Sequence, residues 1–126
     1  MPGGRDIVFI IDADHAVRDA LCFTVELDGF AARICGSVAE LLAHPDRGEA
    51  CCAVIDGMTL NREGPEVLAI LEAARGSLPI VLTVDHVSRR LLARTVEARL
   101  FHVVEKPVLD DALLRCVRAL LRDEDD

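Results

Sequence analysis

The 126 residues are enough for one domain, which would bury roughly two thirds of the surface that its unfolded chain exposes. Apolar residues make up 52% and charged residues 29%, which excludes a disordered chain, and with no Trp or Tyr the core has to be aliphatic. A formal net charge of −8 argues against nucleic acid or an anionic membrane as a direct partner, and no apolar run approaches bilayer-spanning length.

Apolar runs and helical stripes alternate along the chain. Ile7 to Ile11 is a continuous apolar run that predicts a buried strand stopped by Asp12. A helix follows, with Val17, Leu21, Thr24 and Leu27 near helical spacing and Asp28-Gly29 ending it. Phe30 to Cys35 reads as the second strand. Ser37 to Glu40 has a capping-box pattern and opens a short helix that fades at His44-Pro45. Cys51 to Ile55 is the third run, stopped by Asp56, after which Gly64-Pro65 opens a helix carrying Leu68, Leu71 and Ala74. Leu78 to Leu82 is the fourth run and ends at Thr83. Ser88 caps the next helix, whose face is Leu91, Leu92, Thr95 and Val96. Leu100 to Val104 is the fifth run, followed by Glu105-Lys106-Pro107 and a last helix with Leu113, Cys116, Val117, Leu120 and Leu121.

Strict alternation of strand and helix predicts right-handed crossovers and an α/β fold with a doubly wound, five-stranded parallel sheet and five helices. The expectation is a single domain over 1–126, with a core of about 6–122 and a short acidic tail at 123–126. The cysteines (Cys22, Cys35, Cys51, Cys52, Cys116) form no CxxC pair, and most lie in or beside apolar runs, as reduced thiols do. With no basic-then-apolar leader in MPGGRD, a cytoplasmic protein is expected. His15, His44, His86 and His102 share no metal-like spacing and read as surface or loop residues.

In a doubly wound sheet, ligands bind at the carboxyl ends of the strands. The polar residues there are Asp12, Asp56, Thr83 and Lys106. Converging carboxylates repel and need a cation between them, and a hard divalent ion such as Mg2+ suits oxygen ligands. A lysine and a hydroxyl can then hold phosphoryl oxygens, so the set fits a phosphoryl group held on, or transferred to, a carboxylate.

On these residues the chain resembles the receiver domains of two-component response regulators, most closely those that head LuxR-type transcription regulators. The matching segments are Ile10-Ile11-Asp12-Ala13-Asp14, Val54-Ile55-Asp56, Gly64, Ile80-Val81-Leu82-Thr83 and Glu105-Lys106-Pro107. The resemblance implies a flavodoxin-like strand order, 2-1-3-4-5. It also implies Asp56 as phosphoacceptor, with Asp12 and Asp56 holding Mg2+ and a backbone carbonyl of Met58 completing the shell. Thr83 stands at the switch hydroxyl and Lys106 at the phosphoryl-binding lysine, with a cis bond to Pro107. The implied partners are a sensor histidine kinase or phosphotransfer protein and a downstream protein target, with homodimerisation compatible with the family. The domain would be a phosphoacceptor that catalyses its own modification rather than an enzyme of turnover.

Departures from the family pattern stand beside these matches. Ala13 occupies the second acidic position, which puts Mg2+ affinity in doubt, and Val103 replaces the aromatic that moves with the switch threonine. Thr59-Leu60 replaces the usual Met-Pro, and Arg99-Leu100 a usual Gly-Ala. Asp14 is either a substitute metal ligand, displaced by one residue, or the N-cap of the first helix, the preferred reading. These departures leave two alternatives. One is a pseudo-receiver, a binding module that works without phosphorylation. The other is a haloacid-dehalogenase-like phosphatase built on Asp12-Ala13-Asp14, which leaves Asp56 without a role.

Overall fold

The structure is a computed structural model that describes residues 6–63, 66–74, 78–84 and 101–105. Its strands are β1 (Ile7–Ile11), β2 (Ala31–Ile34), β3 (Ala50–Asp56), β4 (Ile80–Val84) and β5 (Phe101–Glu105). Helices α1 (His15–Leu27), α2 (Val38–Ala43), α3 (Gly57–Arg62) and α4 (Val67–Ala74) lie between them, with a 3-10 turn at Arg47–Glu49. The strands form one sheet in the order β2-β1-β3-β4-β5, and every pairing is parallel. This is the doubly wound sheet that the sequence predicts, in the strand order that the resemblance implies.

Residues of one strand alternate between the two faces of the sheet. Ile7, Phe9 and Ile11 of β1 join Ile55, Ile80 and Leu82 in a layer with Leu41 of α2, Leu60 of α3 and Leu71 of α4. Val8 and Ile10 join Val54, Val81 and Val104 on the opposite face, against Leu21 and Val25 of α1. Burial on both faces explains why these strands read as unbroken apolar runs rather than alternating ones. The register of β1 on β3 shifts between Ile7, which faces Ala50, and Val8, which faces Cys52. Cys51 is the extra residue of this bulge. The vicinal pair Cys51-Cys52 therefore lies in one core layer, fully buried and not joined in a disulfide.

Helix α1 starts on Asp14, whose Oδ1 accepts from the amides of Ala16 (3.0 Å) and Val17 (3.2 Å). It ends with Gly29 at φ +99°, where the Gly29 amide donates to Glu26 and the Phe30 amide to Val25. That pair of bonds is a Schellman motif, which glycine permits at no steric cost. The predicted apolar face of α1 needs correction. Leu21 and Val25 are buried with Val17 partly so, whereas Leu27 is 76% exposed. Leu27 lies two residues past Val25, about 200° round the helix, so it cannot share that stripe.

At α2 the capping box is present with one change. Ser37 Oγ accepts from the Glu40 amide (3.1 Å), but Glu40 reaches back to the Gly36 amide (2.8 Å), one residue before the cap. Glu63, beyond α3, supplies carboxylate oxygens to the amide of Val38 and so ties the two elements together. His44 is a loop residue as predicted, but its ring meets Phe9 edge-on at 4.9 Å. The sequence did not reveal α3, which begins directly after Asp56. Gly64-Pro65, the predicted helix capped by Ser88 and the predicted helix after Pro107 lie outside the described residues.

Candidate functional site

The parallel register assembles the strand ends. Ile11 pairs with Ile55 across β1 and β3, and Asp56 pairs with Thr83 across β3 and β4. Asp12 directly follows Ile11, so Asp12, Asp56 and Thr83 stand side by side at one edge of the sheet. They are 5%, 8% and 0% exposed, respectively. Buried carboxylates are costly unless hydrogen-bonded or paired. Here Asp12 Oδ1 accepts from the Asp14 amide at 2.9 Å, and Asp56 Oδ2 accepts twice from Thr59, from its amide at 3.0 Å and its hydroxyl at 2.9 Å.

Thr59 is the contact that sequence reasoning passed over as a mere departure. It is buried, and its Oγ1 also accepts from the amide of Ala13 at 3.2 Å, linking the loop after β1 to the end of β3. A signal for it was present in the sequence. An aspartate that ends a strand and is followed three residues later by a hydroxyl has the spacing of a helix cap, and Asp56 does serve the first turn of α3.

The Thr83 hydroxyl is fully buried and without a hydrogen-bond partner among the described residues. An acceptor or donor brought by water, a ligand or a modification would satisfy such an atom. Val103 pairs with Leu82, and Val104 with Thr83, in the register of β4 on β5. Lys106 and Pro107 lie outside the described residues.

Receiver domains generally hold Mg2+ in an acidic pocket, and the residues here can be tested against that ion. Asp12 and Asp56 supply two carboxylates, within what Mg2+ commonly takes while keeping several waters. Ala13 adds no oxygen from its side chain. Asp14 Oδ1 serves the amides of α1, and half-buried Met58 lies in α3 two residues past Asp56. Among the described residues no group of three or more His, Cys, Asp or Glu side chains forms a metal shell. Asp12 and Asp56 are thus the donors that fit an Mg2+ ion completed by waters.

Away from the site, burial pushes the Cys35 thiol up to about 11, with Glu40 adding to the shift. Burial likewise raises Cys22, helped by Glu26 and Asp19. Thiols shifted in this direction carry little thiolate and are poor nucleophiles at neutral pH. Among the described residues, no helix is long and apolar enough to cross a membrane.

The chain was compared with known proteins on this basis. No protein-family model matches it. The C4-dicarboxylate transport transcriptional regulatory protein DctR of Rhodobacter capsulatus is 29% identical over 109 residues, covering 85% of this chain and 55% of that protein. The transcriptional regulatory protein FixJ of Azorhizobium caulinodans is 32% identical over 117 residues, covering 90% of this chain and 54% of that protein. The chain thus spans about half the length of these relatives. Among solved structures, full-length FixJ from B. japonicum superposes with a TM-score of 0.79 at 25% identity, over 98% of this chain and 60% of that one. The relatives are regulators and not phosphatases, so the dehalogenase-like alternative gains no support, and receiver domains of response regulators are signalling domains. Sequence relatives and fold together make this chain a member of the receiver family of two-component response regulators.

Proposed function

We propose that this receiver accepts a phosphoryl group on Asp56 from a sensor histidine kinase or phosphotransfer protein and signals through protein–protein contacts. The observation that carries the reading is the register of three buried polar residues, Asp12, Asp56 and Thr83, at neighbouring strand ends. In the transfer, an oxygen of the Asp56 carboxylate forms a bond to phosphorus while the phosphorus–nitrogen bond of the donor histidine breaks, and the imidazole recovers its proton. Asp12 and Asp56 would hold Mg2+, with a carbonyl of Met58 as a further ligand. The ion, when bound, offsets charge on the phosphoryl oxygens. The Thr83 hydroxyl supplies a donor to one phosphoryl oxygen, and Lys106 an ammonium to another. The added charge then biases the surface formed by β5 and the predicted helices on either side of it, where a downstream protein or a second copy would dock. A cytoplasmic location suits a kinase partner and reduced, unreactive thiols.

A second reading, a binding module independent of phosphorylation, is favoured by Ala13 and by the commitment of Asp14 to the α1 cap. Intact mass after incubation with acetyl phosphate, with and without Mg2+ and beside Asp56→Asn, separates the two. A gain of one phosphoryl group that needs both Mg2+ and Asp56 establishes the receiver reaction. No gain in the native protein, together with a gain in Ala13→Asp, makes the module phosphorylation-independent.

A further inference from the structure

We propose that Thr59 is a positioning residue that holds the Asp56 carboxylate and competes with Mg2+ for it, and that Ala13 is its working partner. A threonine hydroxyl has one proton and two lone pairs. The Ala13 amide donates to Thr59 Oγ1 at 3.2 Å, which occupies the oxygen from the loop side and directs its proton at Asp56 Oδ2, 2.9 Å away. The Thr59 amide adds a second bond to the same Oδ2 at 3.0 Å. The relay runs Ala13 amide, Thr59 hydroxyl, Asp56 carboxylate, and it joins the β1 and β3 ends of the site. Thr59 is 9% exposed and Asp56 8%, so little water competes with it, and hydrogen bonds to a charged acceptor are strongest in such surroundings.

The two unusual residues explain one another. Residue 13 is exposed, so an acidic side chain there would add a third, partly solvent-screened carboxylate next to Asp12 and raise the demand for a cation. With Ala13 the charge is lower, and the two donors from Thr59 stabilise the Asp56 carboxylate. A cation that approaches Asp56 Oδ2 has to share or displace the Thr59 hydroxyl, so the relay holds the carboxylate oriented in the absence of metal while weakening Mg2+. This inference rests on the reading of Asp56 as the phosphoacceptor for its consequence, a carboxylate held oriented for phosphoryl transfer that binds Mg2+ less tightly.

The test is a Mg2+ titration of the isotopically labelled full chain, followed by the amide resonances of Ala13 and Thr59, for the native protein, Thr59→Ser and Thr59→Val. Losing the competing charge-assisted bond tightens Mg2+ by about tenfold in Thr59→Val, whereas Thr59→Ser, which keeps the hydroxyl, stays within about twofold of native. Equal affinities in native and Thr59→Val, including no binding in either, overturn the proposal. Should Thr59→Val fail to fold by circular dichroism, Thr59→Ala gives the same comparison without a new apolar contact. Mass gain from acetyl phosphate is read in parallel on the same samples. Absence of that gain in every variant, with the affinity shift present, refutes the phosphoacceptor reading and supports the relay. A normal gain with unchanged Mg2+ affinity refutes the relay alone.

Discussion

Thr83 stands in register with Asp56 across β4 and β3, and its fully buried hydroxyl has no hydrogen-bond partner among the described residues. A buried hydroxyl left unsatisfied costs about 1–3 kcal/mol. The resting state thus bears a cost at the one place where a phosphoryl group on Asp56 would supply an acceptor. Thr83→Val keeps the shape and removes the hydroxyl, and it is expected to stabilise the unmodified protein by up to about 1 kcal/mol in urea denaturation. The same variant should lose the stabilisation that phosphorylation brings to the native chain. A destabilised Thr83→Val would mean that the hydroxyl is already satisfied at rest.

Ala13→Asp adds a third carboxylate, at an exposed position, next to the buried Asp12. Without a divalent ion its Tm should fall, and with Mg2+ it should recover, because a ligand that binds only the folded state stabilises it in proportion to the logarithm of its concentration. The native protein should show a smaller Mg2+ dependence. Thermal melts in chelator and in Mg2+ decide this, and a native chain with the larger response would contradict a metal site weakened at residue 13.

Asp14 Oδ1 caps α1 through the amides of Ala16 and Val17. Asp14→Ala should therefore cost about 1 kcal/mol in stability, and Asp14→Ser most of it less, since serine also caps well. Mg2+ affinity should stay unchanged in both. A drop in affinity with no loss of stability would assign Asp14 to the metal instead.

The Cys35 thiol is raised from 9.0 to about 11 by burial, with Glu40 adding to the shift. Its neutral form is the one the fold favours. The stabilisation is complete below pH 9.0, where both folded and unfolded thiols keep their protons, and it is lost as pH rises through about 11. Urea midpoints measured across that window should fall more steeply for the native chain than for Cys35→Ala. Parallel slopes would show that Cys35 does not contribute.

Much of the fold was legible because the signals are local. Ile7 to Ile11 is a strand in both readings, and the cap of Ser37, the stop at Asp28-Gly29 and the end of α2 at His44 depend on residues within a turn of one another. The face of α1 was misjudged because a helical stripe broad enough to include Leu27 fits the spacing nearly as well as the one that packs, and only contact with Val8 and Ile10 selects Leu21 and Val25. The short helix α3 escaped notice because Gly57 to Arg62 has no apolar period of its own, and its first turn is held by Asp56, a residue read for chemistry rather than for capping.

Sequence by itself determined the parallel α/β architecture and the strand-end residues Asp12, Asp56 and Thr83, because strand period, caps and turns are written in neighbouring residues. The family resemblance marked Ala13 as a missing ligand. Tertiary structure alone decided what meets the Ala13 amide. Ala13 and Thr59 are separated by 46 positions in the chain, and their hydrogen bond exists only because β1 and β3 pair in one register. The same register leaves the Thr83 hydroxyl buried beside Asp56. Neither relationship has a local signature, since both follow from which strands become neighbours when the apolar faces are buried.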